Sequence, residues 1–185
     1  ALTGTYTRVE QVSVLGAPVA LDELANLSHL VVIGVVRSNK CVLSADGRSV
    51  NTRFALILQE ILKAKGNSLP PAGGELEMSL PGGRASFGNG TWAQVNVRGF
   101  TMPTEGQRLL VFLRRVSDSK IAPGDKPIAL FQPTSGPLGV FALSEMRSPF
   151  VIPSGAFASV LGRDVIARRF GANEFIQAVR ESLSR

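Results

Sequence analysis

The chain has 185 residues, enough for one domain that buries its own core without disulfides or metals. Hydrophobic residues make up 44%, which excludes global disorder, and no run approaches the ~20 apolar residues that cross a bilayer as a helix. Lys and Arg number 20 against 14 Asp and Glu, a net charge of +6, yet charged residues total only 18% and the basic ones are scattered, so the surplus suits solubility as well as contact with a polyanion.

Residues 1–20 form an N-terminal extended segment. Its stretch "LTGTYTRVEQVSV" is β-prone and free of Pro, and reads as a strand set ahead of the fold. The body spans 21–143. It opens with "LDELANL", a short helix with Leu21, Leu24 and Leu27 on one face. Leu30 to Val36 is apolar throughout except for Gly34, the pattern of a strand covered on both faces, with the glycine marking a bend or a close backbone approach. Asp46-Gly47 signals a hairpin turn. The next strand, Asn51 to Leu62, places Phe54, Leu56 and Leu58 on one face and Ala55, Ile57 and Ile61 on the other.

"ELEMSL" alternates, with Leu76, Met78 and Leu80 inward. "PGGRASFGNG" reads as a flexible connection, and "AQVNVRG" as a strand with Ala93, Val95 and Val97 inside. "EGQRLLVFLRRV" carries an apolar strand ending in two arginines. "PIALFQ" and "LGVFAL" are short strands around the turn "PTSGP". Residues 144–185 change in texture to a linker followed by a C-terminal helix. Asp164 and Asn173 are its N-cap candidates, and Phe175, Ile176, Val179 and Leu183 form the stripe that docks on the body. About seven strands at ~10-residue spacing, with helices only near the ends, indicate a mainly β fold: a small antiparallel barrel with a short N-terminal helix and a C-terminal helix packed on it.

Chemistry-bearing residues are sparse. Cys41 is the only cysteine and His29 the only histidine, so neither a disulfide nor a metal site is expected, and no cofactor-binding motif stands out. His29 has no nucleophile motif to serve, Ser38 and Lys40 on one strand carry no sign of activation, and the glycine-rich Pro81–Gly90 lacks the pattern of a phosphate loop. The chain reads as no enzyme. What remains is binding. Trp92 lies on the opposite parity from Ala93, Val95 and Val97 and is a candidate anchor for a partner or a sugar. Tyr6, Val12 and Val14 would fill grooves if the N-terminal strand added to a sheet edge, its own or a neighbour's. Arg84, Arg98, Arg114 and Arg115 are the candidates for holding an anion.

The succession "HLVVIGVV", "FALILQEILKAKG", "ELEMSLPGG", "EGQRLLVFL", "GPLGVFAL" and "NEFIQAVRESL", across Leu21 to Leu183, resembles poorly characterised bacterial extracytoplasmic proteins whose modules are OB-type or netrin-like barrels. The resemblance implies a closed barrel and export, and implies no catalytic residues. The Thr-rich start at Ala1, such as removal of a signal peptide leaves, points the same way. The expectation is therefore a non-enzymatic, extracytoplasmic barrel (secreted, periplasmic or at the cell surface) with a structural or protein-interaction role. Its partner would be itself or another protein, through N-terminal strand addition. The alternative is an OB-type protein binding a polyanion or single-stranded nucleic acid.

Overall fold

A computed structural model describes residues 5–10, 21–43, 49–66, 70–87, 90–97, 100–116, 131–143, 152–153 and 171–184. Its centre is the long hairpin of β2 (Leu30–Leu43) and β3 (Val50–Ala64). On one side β3 pairs with β4 (Glu75–Pro81), and on the other β2 pairs with β7 (Arg108–Arg115), both antiparallel. The short strand β8 (Phe131–Pro133) closes the ring, antiparallel to β7 and parallel to β4 through Met78 and Phe131. The strand order β7-β2-β3-β4-β8 thus returns to β7 as a five-stranded barrel. All its pairings are antiparallel except the closing one. A 3-10 turn at Gly136–Gly139 then leads to β9 (Val140–Ala142), which pairs with the first half of β7 and carries β10 (Ile152–Pro153) on its other side. The sequence "LGVFAL" therefore splits between that turn and β9, and only the end of "PIALFQ" is strand among the described residues.

The two-sided apolar run of β2 has a direct physical meaning. Leu30, Val32 and Val36 point into the barrel with Phe54, Leu56, Leu58, Leu76, Met78, Leu80, Leu109, Val111 and Leu113. Val31 and Ile33 point outward, where Leu110, Phe112 and Phe141 meet the helices. Each such side chain contributes roughly 1.5–3 kcal/mol on burial, so both faces of β2 stabilise the fold. Gly34 leaves no room for a side chain: a Cβ there would lie 2.9 Å from the carbonyl oxygen of Ile57.

Three register shifts in the β2–β3 hairpin alter the expected facing. Gly34 pairs with Leu58 but Ile33 with Glu60, so Gln59 is an inserted residue. One extra residue reverses parity. Ile61, expected opposite to Leu58, therefore packs on the same barrel interior, and Leu62 joins the helix layer.

Helix α1 (Leu21–Leu27) buries Leu24 and Ala25, whereas Leu27 is 53% exposed. At 3.6 residues per turn a position six along lies about 240° round the helix, so Leu27 cannot share the face of Leu21. Helix α2 (Ala172–Leu183) buries Phe175, Ile176 and Val179 as its sequence stripe requires. Phe141 bridges the layers, 5.8 Å from the Phe112 ring and 4.9 Å from the Phe175 ring between centroids. The cap residue of α2 is Gly171, whose N–H donates to the Glu174 carboxylate at 3.0 Å; Asn173 lies inside the first turn, not at the cap, and Asp164 is outside the described residues. Ser182 donates to the Asp22 carboxylate, tying α2 to α1. Lys63 reaches from β3 to donate to the carbonyl of Ala25. Ser28, fully buried below α1, donates to the Leu24 carbonyl at 2.7 Å and shares a 2.8 Å hydrogen bond with Thr134.

Candidate binding surface

Outside the barrel lies a second, three-stranded sheet in the order β1-β6-β5. Its strands are β1 (Thr5–Glu10), β5 (Gly83–Ser86) and β6 (Trp92–Val97). The stretch expected to be a flexible connection thus contains a strand. The cause is a seat far away in sequence. The Gly82 N–H donates to the Val50 carbonyl at 2.8 Å, and Thr52 Oγ1 donates to the Gly82 carbonyl at 2.7 Å, with Cys41 Sγ 3.3 Å from Thr52 Oγ1. Gly83, at φ 119°, presses against this group so closely that a Cβ would fall 2.3 Å from Thr52 Oγ1 and 2.7 Å from Cys41 Sγ. Glycine is the residue that meets both demands.

From this seat β5 and β6 run as an antiparallel hairpin. Arg84 lies opposite Gln94, Ala85 opposite Ala93, and Ser86 opposite Trp92. Directly opposed residues share a face. Ala85 and Val95 are buried with Val50 against Cys41 and Ala93. The reverse face presents Arg84, Ser86, Trp92, Gln94 and Asn96. The Arg84 guanidinium carbon sits 4.3 Å above the centroid of the indole, in cation–π contact. Gln94 Nε2 donates to Asn96 Oδ1 at 2.9 Å. β1 adds to the other edge of β6 in parallel, with Thr5 opposite Trp92, Tyr6 opposite Ala93, and so on to Glu10 opposite Val97.

The expected anion-binding residues do not form one group. Arg84 is on this satellite sheet, at the Cys41 end of β2. Arg114 and Arg115 are exposed at the end of β7, beside Gln132 and Phe131 and next to the start of β2. About ten residues of β2, roughly 30 Å of strand, separate the two places. Arg98, Val12 and Val14 lie outside the described residues. His29 and Cys41 sit at opposite ends of β2. His29 Nδ1 accepts the Arg115 N–H at 3.2 Å, and its carbonyl accepts the Lys65 N–H at 2.7 Å, so its role is to tie strand ends together. Among the described residues no three His, Cys, Asp or Glu side chains come together as a metal site, and no helix is long and apolar enough to cross a membrane.

In OB-type barrels the face of the second and third strands is the usual ligand platform. Here those strands are β3 and β4, and the positions facing away from the core carry Arg53, Ala55, Ile57, Gln59, Glu75, Glu77 and Ser79. No aromatic ring is among them, and Glu75 takes Arg37 into an ion pair at 2.5 Å. Sequence reasoning singled out Trp92 and Arg84 separately. It missed Ser86, Gln94 and Asn96, although the alternation of "WAQVNV" already set Gln94 and Asn96 on the parity of Trp92.

Strand order, the single parallel closure and the two covering helices define a small closed five-stranded β-barrel with a satellite sheet. No protein-family model matches the sequence, and no curated protein matches it either.

Proposed function

We propose that the chain is a non-enzymatic, extracytoplasmic interaction module that joins copies of itself by exchanging its N-terminal strand. The observation that carries this reading is the position of β1. The barrel closes through β7 and β8 without it, and among the described elements β1 has substantial contact only with β6. A strand held along one edge exchanges between identical copies with the same register and the same hydrogen bonds, so the swap loses no contact. Residues 11–20 join β1 to α1 and supply the connection across which exchange occurs. A non-enzymatic role is supported by the scatter of the reactive groups: His29 engages the Arg115 backbone, Cys41 contacts Thr52, and Ser38 and Lys40 are exposed along β2. Export is supported by the low charged fraction and by the sequence resemblance. The test is light scattering on the full chain and on a chain lacking residues 1–14. The full chain is expected to populate dimers or larger species with rising concentration and the shortened one to remain monomeric; identical mass distributions overturn the proposal.

A further inference from the structure

The outward face of the β5–β6 hairpin combines groups that neither the barrel core nor strand exchange uses. We infer that Arg84, Ser86, Trp92, Gln94 and Asn96 form a binding site for an acidic saccharide, a chain of sugar rings bearing carboxylates. The Arg84 guanidinium carbon lies 4.3 Å from the centroid of the Trp92 ring, a cation–π contact that engages the indole without using an N–H donor. A guanidinium carries its N–H donors as a planar fork that grips a carboxylate through two parallel hydrogen bonds, and among the described residues no hydrogen bond of Arg84 uses them. The side chain is exposed yet fixed, so little freedom is lost on binding. Gln94 stands directly opposite Arg84, and its bond to Asn96 uses one atom of each amide. Among the described residues Gln94 Oε1 and Asn96 Nδ2 are left as an acceptor and a donor, and Ser86 adds a hydroxyl opposite Trp92; each can serve the hydroxyls of a sugar.

Charge complementarity selects the acidic saccharide over the alternatives. The five outward side chains carry one cation and no carboxylate, which favours an anion over a neutral sugar. Single-stranded nucleic acid asks for successive aromatic platforms and a row of cations along its phosphates. This face has one ring and one guanidinium, a match for sparse charge among many hydroxyls.

Trp92 is the only tryptophan in the chain, so its fluorescence reports on this site alone. The test titrates the full chain at low salt with tetragalacturonate, with maltotetraose as the neutral counterpart and with a four-residue oligothymidylate. The expected result is a saturable change in emission with the uronate, with a Kd of about 0.1–1 mM. Arg84→Lys keeps the charge but loses the planar fork, and weakens binding by about tenfold. Arg84→Gln abolishes it, while Arg114→Gln at the far end of the barrel leaves it intact. The inference is overturned by no saturable response up to about 10 mM, an equal response to maltotetraose, tighter binding of oligothymidylate, unchanged binding by Arg84→Gln, or equal loss in Arg114→Gln. Circular dichroism confirms that each variant retains its fold. Because the readout is binding and not mass, failure of strand exchange leaves this result unaffected.

Discussion

Gly83→Ala is the sharpest test of how the satellite sheet is attached. Two costs follow from the structure. An L side chain at φ 119° is strained, by on the order of 1–3 kcal/mol. The new Cβ would also lie 2.3 Å from Thr52 Oγ1, and that oxygen cannot withdraw without loosening its 2.7 Å bond to the Gly82 carbonyl, a loss of about 1 kcal/mol. Together these give about 3 kcal/mol, concentrated at the joint between hairpin and barrel. With a urea dependence of about 2 kcal/mol per molar, the unfolding midpoint falls by roughly 1.5 M. Two probes separate local from global loss: Trp92 fluorescence reports the satellite sheet, and far-UV circular dichroism reports mainly the barrel and helices. The fluorescence midpoint should show the full drop and the dichroism midpoint a smaller one, since the hairpin can leave its seat while the closed barrel persists. Gly90→Ala is the control. It shares a positive φ of 80° but meets nothing within 4 Å, so it carries the backbone strain alone. If both midpoints of Gly83→Ala match wild type, or match those of Gly90→Ala, the apposition of Gly83 to Thr52 and Cys41 is refuted.

Phe141 and Phe175 join barrel and α2, so each alanine substitution should cost about 3–5 kcal/mol. A double-mutant cycle by urea unfolding should return a coupling of about 1 kcal/mol; coupling near zero would mean that α2 docks elsewhere. Lys63 has its pKa lowered from 10.5, first by burial and then by the nearby Lys65 charge. The folded chain therefore binds this proton less tightly than the unfolded chain, and the penalty is fully present below the lowered value. It is relieved as pH rises from there to 10.5, so stability from this group grows across that window. Lys63→Gln lacks the effect, and urea midpoints of the two proteins measured from about pH 8 upward should shift in favour of wild type; parallel profiles would contradict the cause assigned to the shift.

The barrel was legible because β2 and β7 carry apolar residues on both parities, a pattern that only a doubly covered strand rewards. Leu30, Val32 and Val36 fill the interior while Val31 and Ile33 receive the helices. Where parity failed, at Ile61, the cause is Gln59. An inserted residue leaves no mark in composition, yet it turns the following side chains over until the next register shift, which here falls at Leu62. Leu27 was misplaced by a spacing of six that helical geometry does not support. The strand β5 was hidden for a different reason. Its four residues, "GRAS", have little strand propensity of their own, and they are extended because Val50, Thr52 and Cys41 hold Gly82 and Gly83 in place. That partner is some thirty residues away in sequence, beyond the reach of any local window. The binding face was half visible for the same reason: Trp92 and Arg84 stand out singly, and only the register Arg84 to Gln94 brings them together.

That register also changes what the positive charge means. A surplus of basic residues suggests a polyanion partner only if the cations are unneutralised and adjacent. Arg37 on β2 is matched by Glu75 and Arg180 on α2 by Glu60, at 2.5 and 2.6 Å, so each guanidinium already faces one of the protein's own carboxylates. A phosphate chain laid across β3 and β4 would have to break the first pair and then meet Glu77 beside it. Arg84 differs in the kind of partner it has. An indole face holds a guanidinium without accepting hydrogen bonds from its in-plane N–H groups, and among the described residues no hydrogen bond uses the Arg84 donors. The outward face of β3 and β4 thus carries acidic residues beside its basic ones. The Arg84–Trp92 pair lies instead on the satellite sheet, whose attachment depends on Gly82 and Gly83.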